Sequence, residues 1–366
     1  MSIVVPNYIS EIDPYQCGKP IKEVAREIGI PEDKIIKLAS NENPMGISPF
    51  AMKAISDALS EIERYPDGNG YYLKEALCNK FLLSPKQIII GNGSNDILEL
   101  AARTFATKDD QILYSEHAFA VYKIVSQAIG GEGIEAPSNK YSHDLDAFLS
   151  LISNKTKLIF IANPNNPTGT LIIQKALKNF LDNVPKNIVV VLDEAYDEYL
   201  DDSLKSNAFK WLHDYKNLII SRSFSKAYGL AGLRIGYGVG APELIEMMNR
   251  VRQPFNVNHL AQIAATASLD DKNFIEESRS TNNIGMKQLT DAFKVLDLEF
   301  IPSYGNFVSF KLEDEKTAMM YYHHLLNNGV IVRPIANYDL PKFLRVSVGL
   351  ENENNTFIKY LSNCNI

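Results

Sequence analysis

Apolar residues along this chain gather in short continuous runs that end in polar residues. The clearest runs lie in four segments: QIIIGNGSNDILELAAR (87–103), KLIFIANPNNPTG (157–169), NIVVVLDEAYDEY (187–199) and NLIISRSFSKAYG (217–229). Runs of this kind suit parallel strands that are covered by helices on both faces. The last three segments start roughly thirty residues apart, which is typical of βαβ units. The pattern predicts an α/β fold with a large, mostly parallel sheet flanked by helices.

The pattern changes after about residue 250. Helical periodicity runs through 259–269 and 278–296, and shorter strand-like and helical segments then alternate through 300–350. Such alternation indicates a smaller α/β domain packed against the larger one. We therefore predict three units: an N-terminal segment (1–40), a large ligand-binding domain (41–253) and a small C-terminal domain (254–366).

Three polar side chains stand just after predicted strands, although they lie far apart in the sequence. Asn166, Asp193 and Lys226 each follow the carboxyl end of a different run. Ligands of parallel α/β sheets bind beyond the carboxyl ends of the strands, so we expect these residues to converge on one crevice. The alternative is that polar residues follow strands merely because loops are polar, and it weakens when all three are taken together.

Composition narrows the class of protein further. The chain has 366 residues, a formal net charge of -7 and no basic run, which argues against a nucleic-acid partner. Its three cysteines, Cys17, Cys78 and Cys364, are widely spaced and favour free thiols in a reducing compartment. No apolar stretch approaches the ~18 residues of a membrane span, and the start lacks signal-peptide features. We expect a soluble cytoplasmic protein without a metal site, because the six histidines are scattered.

The converging residues match the needs of pyridoxal phosphate. This cofactor requires a lysine amine that reacts with its aldehyde, and Lys226 is the candidate. It also requires a carboxylate beside the pyridine nitrogen, for which Asp193 is suited. Asn166 and Tyr196 are candidate hydrogen-bond donors to the phenolic oxygen.

The cofactor phosphate and ring require further groups, and the sequence offers a candidate for each. Ser94 and Asn95 follow a glycine at the predicted start of a helix, where free backbone amides bind anions. Arg234 supplies a cation and Ser223 a hydroxyl. The three-residue spacing of Ser223 and Lys226 predicts a shared helical turn. Phe119 is a plausible cover for the ring.

Three of these motifs together resemble a known family. SFSKAYGLAGLRIGY (223–237) resembles the cofactor-lysine signature of the class I/II aminotransferases. NPNNPTG and DEAY are similar to the other two hallmarks of that family, in the expected order and spacing. The resemblance covers essentially the whole chain. It implies the type I pyridoxal-phosphate-dependent transferase fold, with a small C-terminal domain, and transaminase activity.

Four further segments resemble the histidinol-phosphate aminotransferase branch of that family: KLASNENPMG (37–46), RYPD (64–67), VIVRP (330–334) and FLRVSVG (343–349). The resemblance implies a homodimer with shared active sites, in which Tyr65 reaches the cofactor phosphate of the neighbouring subunit. It also implies that Arg345 grips the carboxylate of glutamate. Arg333 and Tyr15 would join Arg345 in holding the phosphate of histidinol phosphate, and Asn43 would border the substrate.

The implied reaction converts histidinol phosphate and 2-oxoglutarate into imidazole acetol phosphate and glutamate, in histidine biosynthesis. Alternatives that use the same machinery are an aromatic or other amino-acid aminotransferase and a threonine-phosphate-type decarboxylase. A third alternative is a non-catalytic ligand-binding protein. Such a protein would more often have lost Lys226 or Asp193, and both are present. Tyr15 and Asn43 also have purely structural interpretations. Tyr15 would then belong to the N-terminal entry of the chain, and Asn43 to an Asx turn. HAF (117–119) departs from the usual family pattern and leaves His117 unassigned.

Overall fold

The computed structural model describes residues 4–16 and 18–364. Cys17 therefore lies outside the described residues, while Cys78 and Cys364 carry free thiols. The strands are, in chain order, β1 (Ile36–Lys37), β2 (Ile88–Gly91), β3 (Gln111–Ser115), β4 (Glu132–Ala136), β5 (Ser138–Asn139), β6 (Ser142–His143), β7 (Thr156–Ala162), β8 (Val189–Asp193), β9 (Leu218–Ser223), β10 (Gly236–Gly240), β11 (Phe300–Ile301), β12 (Phe307–Lys311), β13 (Val330–Ile331), β14 (Arg333–Pro334) and β15 (Phe343–Ser347).

The α-helices are, in the same order, α1 (Asn7–Ser10), α2 (Ile21–Ile28), α3 (Pro49–Ala58), α4 (Tyr71–Phe81), α5 (Ser94–Phe105), α6 (Val121–Ala128), α7 (Leu145–Leu151), α8 (Gln174–Asn183), α9 (Pro242–Val251), α10 (His259–Asp270), α11 (Lys272–Val295), α12 (Glu315–Asn327) and α13 (Glu351–Ser362). In the described part of the chain, no helix is both long enough and apolar enough to cross a membrane.

The central sheet has seven strands in the order β2-β10-β9-β8-β7-β3-β4. β10 runs antiparallel to both of its neighbours, and the other neighbouring strands are parallel. The four apolar runs of the sequence form β2, β7, β8 and β9, as predicted. The α/β fold with a mostly parallel sheet is confirmed.

Helices cover both faces of this sheet, which explains why its strands are apolar without alternation. Along β7, Leu158 and Phe160 pack with α5, α6 and α9. The residues between and beyond them, Ile159 and Ile161, pack with α4, α8 and α10 on the opposite face. Both faces are therefore core, and a polar side chain has room only where a strand ends.

The C-terminal part contains an antiparallel sheet in the order β11-β12-β15-β14. α11, α12 and α13 pack on it around Leu289, Phe293 and Phe357. The N-terminal segment joins this part, because β1 pairs in parallel with β13. Residues before the central sheet thus reach the same side of the molecule as the last strands.

The predicted boundary at residue 253 assigns α10 to the small C-terminal domain, but the packing of this helix differs from that expectation. Its Ala261, Ala264 and Ala265 belong to the apolar core beneath the central sheet, against α3 and α4. The small side chains allow these helices to approach closely. The division of the chain at residues 40 and 253 stays a prediction, and the packing assigns α10 to the core of the larger part.

Candidate active site

A cavity of about 250 Å³ opens at the carboxyl ends of β7, β8 and β9. Its opposite wall comes from β14 and β15 and from the N-terminal segment. Twelve of the fourteen site residues expected from the sequence line it: Tyr15, Ser94, Asn95, Phe119, Asn166, Asp193, Tyr196, Ser223, Lys226, Arg234, Arg333 and Arg345. The convergence expected from the strand ends is therefore present in the structure.

One end of the cavity is suited to a phosphate. α5 begins at Ser94 after Gly93, whose φ of +82° is a left-handed conformation that favours glycine. A Cβ on Gly93 would lie 2.5 Å from Nη2 of Arg234, so the guanidinium sits directly against the helix start. Free amides and a fixed cation meet at this point, and together they bind anions.

Asp193 lies at the opposite end, as the last residue of β8. Its Oδ2 accepts a hydrogen bond of 2.9 Å from the hydroxyl of Tyr122, whose ring stacks on Phe160 at 4.8 Å. Its Oδ1 is buried, and no side chain or backbone group of the described residues hydrogen-bonds to it. Burial raises the pKa of Asp193 to about 6, because a low-dielectric environment disfavours the charged form.

Lys226 lies between these two ends. Its Nζ donates a hydrogen bond of 3.3 Å to the backbone oxygen of Ser40 and lies 5.7 Å from the centre of the Tyr196 ring. Burial, followed by the charge of Arg345, lowers the pKa of Lys226 to about 8. The expected helical turn from Ser223 to Lys226 is wrong: Ser223 ends β9 and the next residues form bends. Both side chains nevertheless line the cavity.

Asn166 and Tyr196 lie beside Lys226, and each has a fixed orientation. The amide oxygen of Asn166 accepts a hydrogen bond from Arg345. The hydroxyl of Tyr196 accepts one of 3.0 Å from Nδ2 of Asn41. Burial raises the pKa of Tyr196 to about 12, so the phenol keeps its proton near neutral pH and remains a donor.

Two arginines form the wall nearest the C-terminal sheet. Arg333 on β14 is directly opposite Arg345 on β15 in the antiparallel register, which places both side chains on one face of the sheet. Arg345 also donates to the backbone oxygen of Ala39 at 2.8 Å. Arg333 donates to the backbone oxygen of Gln16 and lies 5.8 Å from the Tyr15 ring. Two buried guanidiniums side by side make this a pocket for anions.

Asn43 and Tyr65 do not line this cavity. Nδ2 of Asn43 donates to the backbone oxygen of Ala227 at 2.8 Å and to Ser278 at 2.9 Å, and its Oδ1 accepts from Met45 in an Asx turn. The polar atoms of Asn43 are thus engaged within the protein, and its role beside the substrate stays a prediction. Tyr65 is 83% exposed and stacks on Phe255 at 4.8 Å.

Among the cavity-lining residues that sequence reasoning missed are four with polar side chains that affect the site: Asn41, Glu42, Tyr122 and Ser225. Tyr122 holds Asp193, and Ser225 accepts a hydrogen bond of 3.4 Å from Arg234. Glu42 pairs with Lys37 at 2.8 Å and acts to raise the pKa of Lys226. Glu42 and Asn41 stand inside the SNENP segment already singled out, so that segment was the available signal for them. Tyr122 had no such signal.

These residues fit pyridoxal phosphate. The open Oδ1 of Asp193 is suited to a cationic ring N–H, which would stabilise its buried charge. The amides at the start of α5 and the guanidinium of Arg234 are suited to the phosphate, and a Cβ on Gly93 would displace that guanidinium. Within residues 4–16 and 18–364, no cluster of three or more His, Cys, Asp and Glu side chains is placed to hold a metal ion.

Comparison with known proteins agrees with this geometry. The family model for aminotransferase class I and II matches residues 33–361. A histidinol-phosphate aminotransferase of Methylobacillus flagellatus is 57% identical over 97% of this chain and 96% of its own length. Another, from Nitrosospira multiformis, is 51% identical over 98% of this chain and 91% of its own.

Solved structures extend the comparison to the fold. The histidinol-phosphate aminotransferase of Sinorhizobium meliloti in complex with pyridoxal 5'-phosphate superposes with a TM-score of 0.90 at 26% identity, covering 100% of this chain and 98% of that one. An aspartate aminotransferase double mutant of Thermus thermophilus gives 0.85 at 20% identity, with both chains fully covered, and shares the type I fold. This chain belongs to the class I and II aminotransferases and, within them, to the histidinol-phosphate aminotransferase family.

Proposed function

We propose that this chain is a transaminase that uses pyridoxal phosphate to interconvert histidinol phosphate and 2-oxoglutarate with imidazole acetol phosphate and glutamate. The observation that carries the proposal is the joining of two sites in one cavity. Lys226 and Asp193 form one side of the cavity, and the paired arginines Arg333 and Arg345 form the other. An amine group and an anionic group of one substrate would be held at the same time.

When bound, the cofactor supplies an electron-withdrawing ring that stabilises negative charge at the substrate α-carbon. Asp193 would hold the ring nitrogen protonated through Oδ1, while Tyr122 keeps the carboxylate in place. Asn166 and Tyr196 would donate to the phenolic oxygen. Nζ of Lys226 would take the proton from the substrate α-carbon and return it later, which its pKa of about 8 favours near neutral pH.

The arginines would serve both half-reactions in turn. Arg345 would bind the carboxylate of glutamate or 2-oxoglutarate through its planar fork. Arg333 and Tyr15 would add contacts for the phosphate of histidinol phosphate. Glutamate and histidinol phosphate carry different anions, and a pair of guanidiniums accommodates either one.

The proposal includes a homodimer with shared active sites in the cytoplasm. Exposed apolar side chains are frequent in α3, in α4 and in the segment between them that contains Tyr65, namely Phe50, Met52, Leu59, Ile62, Tyr71 and Tyr72, and an exposed apolar patch indicates a protein interface. A second copy of this chain would cover the patch. Tyr65 would then reach the cofactor phosphate of the partner subunit.

The direct test is product analysis with purified enzyme, glutamate and imidazole acetol phosphate. We expect histidinol phosphate and 2-oxoglutarate to form in equal amounts. Lys226→Ala should lower turnover by several orders of magnitude, since it removes both the amine and the proton carrier. It should also remove the visible absorbance of the lysine-bound cofactor. Lys186→Ala, at an exposed lysine 5.1 Å from the Tyr215 ring, is the control.

Three outcomes contradict the proposal. Full steady-state activity in Lys226→Ala would exclude its role. Release of CO2 from threonine phosphate, or a preference for phenylalanine over histidinol phosphate in competition kinetics, would assign the chain to one of the alternative activities.

A further inference from the structure

His117 occupies a constrained position beside the active site. It lies in the loop between β3 and α6, two residues before Phe119. Its backbone has a φ of 55°, in the left-handed region that few side chains tolerate. Its side chain is 8% exposed and lies outside the cavity lining. The residue is therefore fixed without facing substrate.

The ring of His117 bonds across to the C-terminal part of the chain. Its Nδ1 lies 2.6 Å from the backbone oxygen of Tyr338. A carbonyl oxygen only accepts, so Nδ1 carries the proton and donates. Nε2 is 3.8 Å from Oε1 of Glu116, which is beyond hydrogen-bond distance. The bond to Tyr338 is thus the polar contact that orients the ring.

Tyr338 follows the arginine wall of the cavity along the chain, although it does not itself line the cavity. It ends the short 3-10 helix Ala336–Tyr338, which follows β14 and its Arg333. Burial raises the pKa of Tyr338 to about 12, and the nearby Tyr15 hydroxyl adds to this, while Arg345 and Arg333 act in the opposite direction. The segment that contains Tyr338 thus continues directly from the strand that carries Arg333.

The backbone of His117 is held from the other side as well. Its carbonyl accepts a hydrogen bond of 3.0 Å from Nδ2 of Asn165, the neighbour of Asn166. Ala120, on the far side of Phe119, packs against the apolar cluster that contains Tyr338. Polar and apolar contacts therefore connect the loop that carries Phe119 with Asn165 on one side and with the segment that contains Tyr338 on the other.

We propose that His117 is a positioning residue that ties the Phe119 loop to the segment 336–340, which contains Tyr338 and follows the arginine strand β14. The tie keeps the cover of the cofactor ring at a fixed distance from the arginines that bind the substrate anion. Substrate fills the space between them, so loosening the tie weakens substrate binding more than it slows chemistry. The substrates named in this inference come from the proposed function. The connection between the two segments rests on the contacts alone.

A pair of matched variants tests this role. Asparagine and aspartate both tolerate the left-handed backbone, and each places an atom near the position of Nδ1. His117→Asn keeps a donor facing the carbonyl of Tyr338, whereas His117→Asp puts a carboxylate oxygen there. We expect His117→Asp to raise KM for both histidinol phosphate and glutamate on the order of tenfold, with a smaller change in kcat. His117→Asn should stay near the wild type.

Hydrogen exchange of the purified holoenzyme gives a readout that does not depend on turnover. Amides in 116–121 and 336–340 should exchange faster together in His117→Asp and not in His117→Asn. His324→Phe is the control, because Nε2 of His324 also bonds a backbone oxygen, that of Tyr360 at 3.1 Å, away from the cavity. It should leave both KM values and both segments unchanged.

Similar behaviour of His117→Asn and His117→Asp would overturn the proposal. So would faster exchange confined to 116–121, since the two segments would then move independently. If His324→Phe changed the KM values as much as His117→Asp does, general destabilisation of the protein would explain the effect. If the wild-type enzyme does not use histidinol phosphate, the proposed function is wrong. The difference in hydrogen exchange between His117→Asp and His117→Asn still tests whether His117 connects the two segments.

Discussion

At the scale of single residues, burial shifts the pKa values of Asp193 and Lys226 in opposite directions. It raises the pKa of Asp193 to about 6 and lowers that of Lys226 to about 8. Both shifts favour the neutral form, because charge is poorly solvated in the cavity. The lysine becomes a usable nucleophile and base near neutral pH. The aspartate is suited to a cationic partner that stabilises its charge.

Asp193→Asn should make the cofactor-free protein more stable than the wild type as pH rises. The folded pKa of about 6 is above the ordinary value of 3.8, so the folded state binds the proton more tightly. The stabilisation from this group is fully present below about 4 and is lost as pH rises through 6. The difference in free energy of unfolding should grow to on the order of 3 kcal/mol in favour of the variant by about pH 7.

Urea unfolding of the cofactor-free proteins at a series of pH values measures this difference. Asp201→Asn, at an exposed carboxylate, is the control and should show no such trend. A difference between Asp193→Asn and wild type that does not change with pH would contradict the assignment.

At the scale of elements, the start of α5 determines how the phosphate end is built. The helix has 12 residues, and its first amides have no partners within the helix. Gly93 lets the chain enter this helix with a positive φ while Arg234 lies against it. The glycine in GNGSN is therefore required by both the backbone conformation and the space.

Gly93→Ala should weaken binding of pyridoxal phosphate on the order of ten- to a hundredfold. The new Cβ would lie 2.5 Å from Nη2 of Arg234 and would displace the guanidinium. Fluorescence titration of the cofactor-free variant with pyridoxal phosphate measures the loss. Gly232→Ala is the matched control, because nothing lies within 4 Å of its added Cβ. Equal cofactor affinity in both variants would show that Gly93 is not needed for the phosphate site.

At the scale of the whole molecule, the exposed aromatic surface around Tyr65 contrasts with the buried charges of the cavity. Tyr65 is 83% exposed although it lies in a motif singled out by the sequence. Its ring stacks on Phe255, which is also exposed. A functional residue on an apolar surface is consistent with the proposal that a second copy of the chain completes the site.

Mixed dimers test this shared site. A dimer of one Lys226→Ala subunit and one Tyr65→Ala subunit would keep one native site, built from Lys226 of one chain and Tyr65 of the other. We expect about half the wild-type activity per dimer, well above the mean of the two parent dimers. Co-expression with two affinity tags isolates the mixed species. Activity no higher than that mean would contradict a site shared between subunits.

Four of the seven strands of the central sheet, the polar residues that follow them and the family could be predicted from the sequence. These features are local, since an apolar run predicts a buried strand and a polar residue after it points to the ligand edge. Asn166, Asp193 and Lys226 could therefore be found without coordinates. The SNENP segment and the two C-terminal arginines were found by resemblance, and not by any pattern of their own.

Which side chains contact each other could not be predicted from the sequence and is seen only in the folded chain. Tyr122 reaches Asp193 across 71 residues, and Asn41 reaches Tyr196 across 155, neither of which a local pattern reveals. The hydrogen bonds of Asn43 direct it away from the cavity, and the β14–β15 register places Arg333 beside Arg345. The physical reason is that periodicity fixes which face of an element is buried, whereas contacts depend on how distant elements pack.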